Sequence, residues 1–173
     1  MTDLRNFAAE LGLEDCRSLL QSGNLVFTSK VRTATELERF LETEAAERLS
    51  LEVDFFVRTP DEWKSIIRQN PLRKEAERDP AHLVVLFLKA APSVEEMVAL
   101  QADIRGPETV RAKGKQAYIF YPNGQGRSKL TAAILEKHLG RGTARNWNTV
   151  LKLGIMAKTG SARLTPMVPR KRI

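Results

Sequence analysis

The order of strand and helix patterns in the second half of the chain is the feature that most constrains its fold. In chain order, this half has a strand pattern at residues 82–88, a helix at 93–103, strands at 109–113 and 117–121, a helix at 127–139, a short extended piece at 143–145 and a helix at 147–158. The order β, α, β, β, α, β is typical of the ferredoxin-like fold, in which two helices cover one face of an antiparallel sheet. The sequence therefore predicts an α+β fold with one such unit in this half.

The first half of the chain repeats this order without the opening strand. A helix close to the start is followed by strands at residues 16–20 and 25–28, a helix at 35–49 and a strand at 51–57. The opening strand is central in this topology, so its loss leaves its neighbours without a hydrogen-bonding partner. We therefore expect an incomplete first unit. Either the true start of translation lies upstream of Met1, or the tail or a second molecule fills the position.

Proline and polar residues suggest where one unit ends and the next begins. A connecting helix begins at Pro60, and a polar stretch bounded by prolines follows it. We expect a first ferredoxin-like unit with its connecting helix at residues 1–70, a linker at 71–81 and a second unit with a C-terminal helix at 82–158. The basic tail at 159–173 is expected to be disordered.

Composition excludes several classes of protein. The chain has 173 residues, of which 42% are hydrophobic and 28% are charged, as in ordinary globular proteins. Its single cysteine, Cys16, excludes an intrachain disulfide, and His82 and His138 are too isolated to form a zinc pair. We therefore predict no metal, no cofactor and a reducing, cytoplasmic location. No apolar stretch is long enough to predict a membrane span.

The net charge of +7 is distributed unevenly. Residues 1–58 carry 7 basic and 11 acidic side chains, and residues 59–103 carry 6 and 8. Residues 104–158 instead carry 11 basic and 2 acidic side chains, and the tail carries 4 basic side chains and none that are acidic. This asymmetry predicts an anionic partner for the second half, either nucleic acid or a phosphate-bearing molecule.

A glycine-rich segment at residues 124–129 is the first candidate binding site. It joins a predicted strand to a predicted helix, so Arg127, Ser128 and Lys129 would lie where helix amide groups favour an anion. The spacing is not that of a phosphate-binding Walker loop. The favoured alternative is a turn in which Ser128 caps the helix.

The stretch from Arg145 to Val150 is the second candidate site. Trp147 and Val150 share one face of the predicted helix, which favours a core position for the indole with Asn146 or Asn148 as the helix cap. In the alternative interpretation, Arg145, Asn146 and Asn148 present hydrogen-bond donors to a polar ligand. We expect that any site in this half is shared by this stretch and the glycine-rich segment.

The predicted hairpin tip at residues 21–24 is a third candidate. Its composition is adequate for a tight turn, which is the favoured interpretation. The tip would also place the amides of Gln21 and Asn24 at an accessible position.

Aromatic and basic residues alternate at residues 111–121, as they do on sheets that stack single-stranded bases. Strand alternation places Tyr118 and Phe120 on one face and Tyr121 on the other. The favoured interpretation is therefore core packing for Phe120 and an edge position for the two tyrosines.

Four short motifs resemble one known family. They are residues Thr2-Asp3-Leu4-Arg5, Gln21-Ser22-Gly23-Asn24-Leu25-Val26-Phe27, Gly126-Arg127-Ser128-Lys129-Leu130 and Arg145-Asn146-Trp147-Asn148-Thr149-Val150. Taken together and in this order, they are similar to the family called domain of unknown function 1697. The resemblance implies a duplicated ferredoxin-like α+β fold and no established activity. The family begins with a hydrophobic strand and a glycine-containing loop before the equivalent of Thr2, and the resemblance ends before Thr159.

Three functions are compatible with these features. The first is a non-enzymatic domain that binds an anionic ligand in the basic second half. The second is an enzyme acting on a small anionic substrate around Arg127, Ser128, Lys129 and Arg145, although no catalytic constellation accompanies these residues. The third is a protein-interaction or self-associating domain, because an incomplete sheet can accept a strand.

Overall fold

The chain folds into two compact units. The structure is a computed structural model, and it describes residues 2–19, 23–29, 33–158 and 169–171. Unit 1 comprises Met1–Ser65 and Lys152–Ile173, and unit 2 comprises Ile66–Leu151. The boundaries fall inside two helices, so they differ from the expected boundaries at residues 70 and 82. The expected linker at residues 71–81 contains a short helix and part of a 3₁₀ turn.

The described residues of unit 1 form two helices that lie wholly in this unit, parts of two more, and four short strands. In chain order they are α1 (Thr2–Glu10), β1 (Glu14–Leu19), β2 (Asn24–Thr28), α2 (Ala34–Leu49), β3 (Val53–Phe55), the first part of α3 (Pro60–Arg68), the last part of α7 (Trp147–Lys158) and β8 (Pro169–Lys171). A capping box between Thr33 and Glu36 fixes the start of α2. Ser50 ends it in a left-handed conformation with φ of 50°.

The strands of unit 1 form two separate sheets. β1 pairs with β2, and β3 pairs with β8, both in antiparallel orientation. The strands within residues 14–58 therefore do not join into one continuous sheet. Residues 169–171 of the tail form β8, which differs from the disorder expected for this segment. Its backbone groups gain partners by pairing with β3.

Carboxylates from α2 supply partners for the backbone of β3 and the residues after it. The Phe55 amide donates to Glu42 Oε1 at 3.0 Å, and the Val57 amide donates to Glu38 Oε1 at 2.7 Å. The apolar core of this unit lies between the helices and the strands, and its members include Phe7, Phe27 and Leu41. Side chains thus satisfy amides that a neighbouring strand would otherwise satisfy.

Unit 2 is built around one four-stranded antiparallel sheet. It begins with the end of α3, followed by α4 (Arg73–Arg78), a 3₁₀ turn (Pro80–His82), β4 (Leu83–Leu88), α5 (Val94–Asp103), β5 (Thr109–Lys113), β6 (Gln116–Phe120), a second 3₁₀ turn (Gln125–Arg127), α6 (Ala132–Leu139), β7 (Gly142–Asn146) and the start of α7. The strand order is β5-β6-β4-β7. The central strands β4 and β6 therefore have partners on both edges.

Both faces of this sheet are buried. One face packs Val84 and Ile119 with residues of α5 and α6, including Leu100 and Leu135. On the opposite face lies Tyr118, which is completely buried. Such burial requires apolar residues at successive positions of β4, as its sequence provides.

The two tyrosines near the end of β6 are core residues. Tyr118 and Tyr121 expose 0% and 1% of their surfaces. The edge position expected for them is wrong, because β6 is paired on both sides. The Tyr118 hydroxyl donates to the Ile66 carbonyl at 2.8 Å, and burial raises its pKa. Phe120 is also buried, as the favoured interpretation predicts, so these three rings are in the protein interior and not on a surface that could stack bases.

Within the part of the chain that the structure describes, no helix is both long and apolar enough to span a membrane.

Candidate functional site

The candidate site is a recess at one end of the sheet in unit 2. Its volume is about 110 Å³. Its walls come from the start of β4, the residue after β6, the second 3₁₀ turn and the end of β7, and the lining residues are Ala81, His82, Val84, Tyr121, Gln125, Ala144 and Asn146. None of these lining residues is acidic.

Strand register brings these segments together. β4 lies between β6 and β7, so Leu83 pairs with Phe120 and Val84 pairs with Asn146. The Tyr121 amide then donates to the His82 carbonyl at 3.0 Å. The recess is therefore positioned by regular sheet pairing.

A tight turn folds the segment after β6 over His82. The Gly124 amide donates to the Tyr121 carbonyl at 2.9 Å, and Gly124 has φ of 81°, a conformation that favours glycine. A Cβ atom at this position would lie 3.6 Å from His82 Nε2. The turn thus places the following Gln125 beside the histidine.

His82 is held by a carboxylate. Its Nδ1 atom lies 2.6 Å from Asp79 Oδ2, and the two side chains are 42% and 34% exposed. An ionised carboxylate only accepts hydrogen bonds, so Nδ1 carries the proton in the neutral imidazole and Nε2 presents a lone pair. No described residue bonds to Nε2. The recess therefore contains an oriented proton acceptor.

Asn146 contributes to the recess and also begins α7. Its Nδ2 donates to the Ala81 carbonyl at 2.6 Å, and its Oδ1 accepts from the Asn148 amide at 2.9 Å. Asn146 is therefore the helix cap, one of the two alternatives that the sequence left open. Asn148 is exposed in the first turn of the helix and is not among the lining residues.

Trp147 is a core residue. Its ring centroid lies 6.5 Å from that of Tyr118, with an angle of 57° between the planes, and the side chain is buried. This geometry is typical of packed aromatic pairs. The favoured interpretation of this tryptophan is confirmed.

Arg145 is directed away from the recess. It pairs with Val85, whereas its neighbour Asn146 pairs with Val84, so the two side chains lie on opposite faces of β7. Its guanidinium donates to Thr143 Oγ1 at 3.1 Å and to the Ala144 carbonyl at 2.6 Å. Burial lowers the pKa of Arg145 to about 10. Its contacts are therefore those of a partly buried structural residue.

Ser128 does not cap a helix, so the favoured interpretation of this residue as a cap is wrong, and so is the expected position of residues 127–129 at a helix start. α6 begins later, at Ala132, where Thr131 is the cap and accepts from the Ile134 amide at 3.4 Å. The sequence suggested an earlier start because Ser128 is also a good capping residue. Arg127, Ser128 and Lys129 consequently do not lie at a helix N-terminus.

The Ser128 hydroxyl instead binds a buried carboxylate. It donates to Glu108 Oε1 and accepts from the Leu130 amide at 2.9 Å. Glu108 exposes only 8% of its surface. Burial of the Tyr121 side chain, and to a smaller extent the charge of Glu108, raises the pKa of Tyr121 to about 12. A carboxylate at this position opposes anion binding by the hydroxyl. Arg127 and Lys129 remain exposed on either side.

The hairpin candidate Asn24 does not line the recess. Asn24 belongs to unit 1, where it is completely buried at the start of β2, so it is not at an accessible tip. Gln21 lies outside the described residues.

The structure thus brings the two expected segments together through Gln125 and Asn146. His82 and Asp79 are not among the residues predicted from the sequence, where histidine is a candidate only as a metal ligand. The one signal available was their separation by three residues next to Pro80. Among the described residues, no group of three or more His, Cys, Asp or Glu side chains is arranged to hold a metal ion.

The fold and the recess define a two-unit α+β protein. The sequence profile of the family described as "Protein of unknown function (DUF1697)" matches residues 1–118. The chain belongs to this family.

A solved structure is similar to this chain over most of the length of both proteins. It is that of the conserved bacterial protein SP0830 from Streptococcus pneumoniae, with a TM-score of 0.69 and 23% sequence identity, covering 92% of this chain and 89% of that one. This likeness concerns the fold alone. No curated protein matches the chain.

Proposed function

We propose that unit 2 binds a small ligand that carries a phosphate group, and that the ligand occupies the recess beside His82. The observation that carries this proposal is the convergence of Gln125 and Asn146 on a recess without acidic lining residues. Arg127 is exposed two residues after Gln125. Polar groups inside a concavity with a cation nearby are suited to a small anion.

The charge distribution around the recess supports an anion. Residues 104–158 carry 11 basic and only 2 acidic side chains. Of the two acids, Glu108 is buried against Ser128, and Glu136 lies 3.7 Å from Arg141. The unopposed charge of this segment is therefore positive, which favours the approach of anionic molecules.

A small molecule is favoured over single-stranded nucleic acid. Stacking of bases requires exposed aromatic faces, whereas Tyr118, Phe120 and Tyr121 are buried. The recess volume of about 110 Å³ also lies below the usual range for pockets that enclose larger ligands.

Calorimetric titration with inorganic phosphate and phosphate monoesters tests this proposal. Affinity should fall steeply between about 50 and 200 mM salt, because the attraction is electrostatic. The variant Arg127→Gln should bind several-fold more weakly, whereas Lys113→Gln, which removes an exposed charge from edge strand β5, should bind as the wild type does. Absent or salt-insensitive binding would contradict the proposal.

Catalysis on a small anionic substrate is the second candidate function. The His82 and Asp79 pair favours it, since an oriented imidazole is the commonest general base. An enzyme of this kind should hydrolyse p-nitrophenyl phosphate, and His82→Ala should abolish the hydrolysis. Ser128 is not proposed as a nucleophile, because its hydroxyl binds Glu108.

We also propose that both units are variants of the ferredoxin-like fold. The strand order of unit 2, with α5 and α6 on one face, supports this relationship. Unit 1 would be the incomplete copy, and its divided sheet supports a capacity for self-association by strand addition.

We also propose a cytoplasmic location for the protein. The presence of a single cysteine in the full sequence is consistent with this location.

A further inference from the structure

We infer that the ligand of the recess is a phosphorylated polyol, such as a sugar phosphate, in which a hydroxyl group donates a hydrogen bond to His82 Nε2. This inference rests on the proposed function and specifies the class of ligand. Three features of the recess carry it: the contact between His82 Nδ1 and the Asp79 carboxylate, the uncommitted amide of Gln125 and the volume of the cavity.

The tautomer of His82 determines which group it can bind. The Asp79 carboxylate accepts a hydrogen bond from Nδ1–H, with 2.6 Å between Nδ1 and Oδ2, so neutral His82 offers a lone pair at Nε2 and no proton there. A fully ionised phosphate oxygen presents lone pairs as well and is therefore repelled at this position. A hydroxyl group supplies the missing proton. The histidine thus selects for a ligand that has a hydroxyl in addition to its phosphate.

The Gln125 side chain can bind the rest of the ligand. Its amide has no hydrogen-bond partner among the described residues, and it is exposed at the rim of the recess. Its NH₂ group can donate to a phosphate oxygen, and its carbonyl can accept from a second hydroxyl. Arg127 follows in the same 3₁₀ turn and can neutralise the phosphate. The polar groups at the rim are thus those that a phosphate requires.

The recess is larger than a phosphate group alone requires. A cavity needs about 10–15 Å³ for each water-sized group that it holds. By that measure, the volume of about 110 Å³ admits about 7–11 such groups, which is more than a phosphate group but fewer than a whole sugar phosphate, so the polyol part would lie inside the recess and the phosphate at its rim. The aromatic ring of Tyr121 and the side chain of Val84 supply apolar wall for the carbon atoms of the ligand.

Comparison of ribose 5-phosphate, methyl phosphate and ribose tests the inference, because methyl phosphate at pH 8 is fully ionised and has no hydroxyl group. We expect calorimetric titrations of the full chain at pH 8, where imidazole side chains are generally neutral, to show ribose 5-phosphate binding about tenfold more tightly than methyl phosphate. Ribose alone should bind more weakly than either. His82→Ala should reduce this preference to less than about threefold while phosphate still binds.

His138→Ala is the matched control. His138 also bonds to an aspartate, with 2.7 Å between its Nε2 and Asp103 Oδ2, but it is not among the residues that line the recess. This variant should retain the full preference for ribose 5-phosphate. Asp79→Ala, which leaves His82 in place without its carboxylate, should lose part of the preference and provides a second variant if His82→Ala fails to fold.

The outcomes separate the inference from the proposed function. Equal affinity for methyl phosphate and ribose 5-phosphate would overturn the inference and leave the proposed phosphate site intact. Binding of neither compound would overturn both. A preference that survives in His82→Ala would also overturn the inference, because the hydroxyl would then be recognised elsewhere.

Discussion

Unit 1 and unit 2 satisfy their backbone hydrogen bonds in different ways. In unit 2, the central strands β4 and β6 have strand partners on both edges. In unit 1, β3 pairs with β8, and the Phe55 and Val57 amides donate to carboxylates of α2. The comparison teaches that a short strand without a full sheet can be stabilised by ionised side chains, at the cost of burying charge.

The buried charge in unit 1 has a defined partner. Glu38 accepts from the Val57 amide at 2.7 Å and from Arg58 at 3.3 Å, and both side chains are almost completely buried. Burial lowers the pKa of Arg58, an effect that nearby Glu38 opposes. Unit 1 should therefore depend on single ionised residues more strongly than unit 2 does.

Glu38→Ala should produce the largest loss of stability. It removes the acceptor of the Val57 amide and leaves the Arg58 charge buried without this carboxylate, so we expect the free energy of unfolding to fall by about 3–5 kcal/mol. Urea denaturation followed by circular dichroism measures this change.

Glu44→Ala is the control on the same helix. Glu44 forms an ion pair with Arg48 at 2.6 Å, and the Arg48 side chain is half exposed, so the expected loss is below about 1 kcal/mol. Equal losses in the two variants would show that burial does not distinguish the two ion pairs, and the comparison would fail.

In unit 2, the two buried tyrosines should respond differently to removal of their hydroxyl groups. Tyr118→Phe deletes the hydrogen bond to the Ile66 carbonyl and should cost about 1–2 kcal/mol in the free energy of unfolding. Tyr121→Phe should cost little or be stabilising, because the Tyr121 hydroxyl is buried and has no partner among the described residues. Denaturation of both variants checks the difference. A larger loss for Tyr121→Phe would indicate a hydrogen bond that the structure does not contain.

The smallest expected effect concerns an exposed charge in unit 2. Hydrogen bonds from His138 and Lys137 lower the pKa of Asp103. A carboxyl with a lowered pKa in the folded state adds stability above its unfolded pKa, and this contribution is lost as the pH falls through the folded value. Asp103→Asn should therefore lower the melting temperature slightly at pH 6 and have no such effect near pH 2. An equal difference in melting temperature between Asp103→Asn and the wild type at both pH values would contradict a contribution from ionised Asp103.

The element pattern of unit 2 could be predicted from local sequence, whereas the arrangement of its side chains could not. β5 spans Thr109–Lys113, the same residues as the predicted strand, because alternation and flanking turn residues mark it clearly. The sequence pattern predicts that α6 begins at residue 127, five residues before its observed start at Ala132, because serine and threonine are both good capping residues and both occur here, as Ser128 and Thr131. Which of two hydroxyls caps a helix depends on its tertiary partner, and here Glu108 binds Ser128.

The recess was only partly predictable for a similar reason. Asn146 and the segment around Gln125 carry recognisable motifs, but His82 gains its chemistry from Asp79 in a 3₁₀ turn. The burial of Tyr118 depends on strand order, and strand alternation does not reveal whether a strand is central. The strand at Pro169–Lys171 agrees with one of the alternatives for the missing strand, namely that the tail fills its position, but the basic composition of the tail instead favours disorder.

The contact between Ser128 and Glu108 has a consequence for binding kinetics. It anchors the segment that carries Gln125 at one end, while the Gly124 amide anchors the other end through the Tyr121 carbonyl. The conformational entropy of this segment is therefore already lost when the protein folds, and a ligand does not need to order it again. Association should then be fast and show a single kinetic phase, with no slow closing step after the encounter.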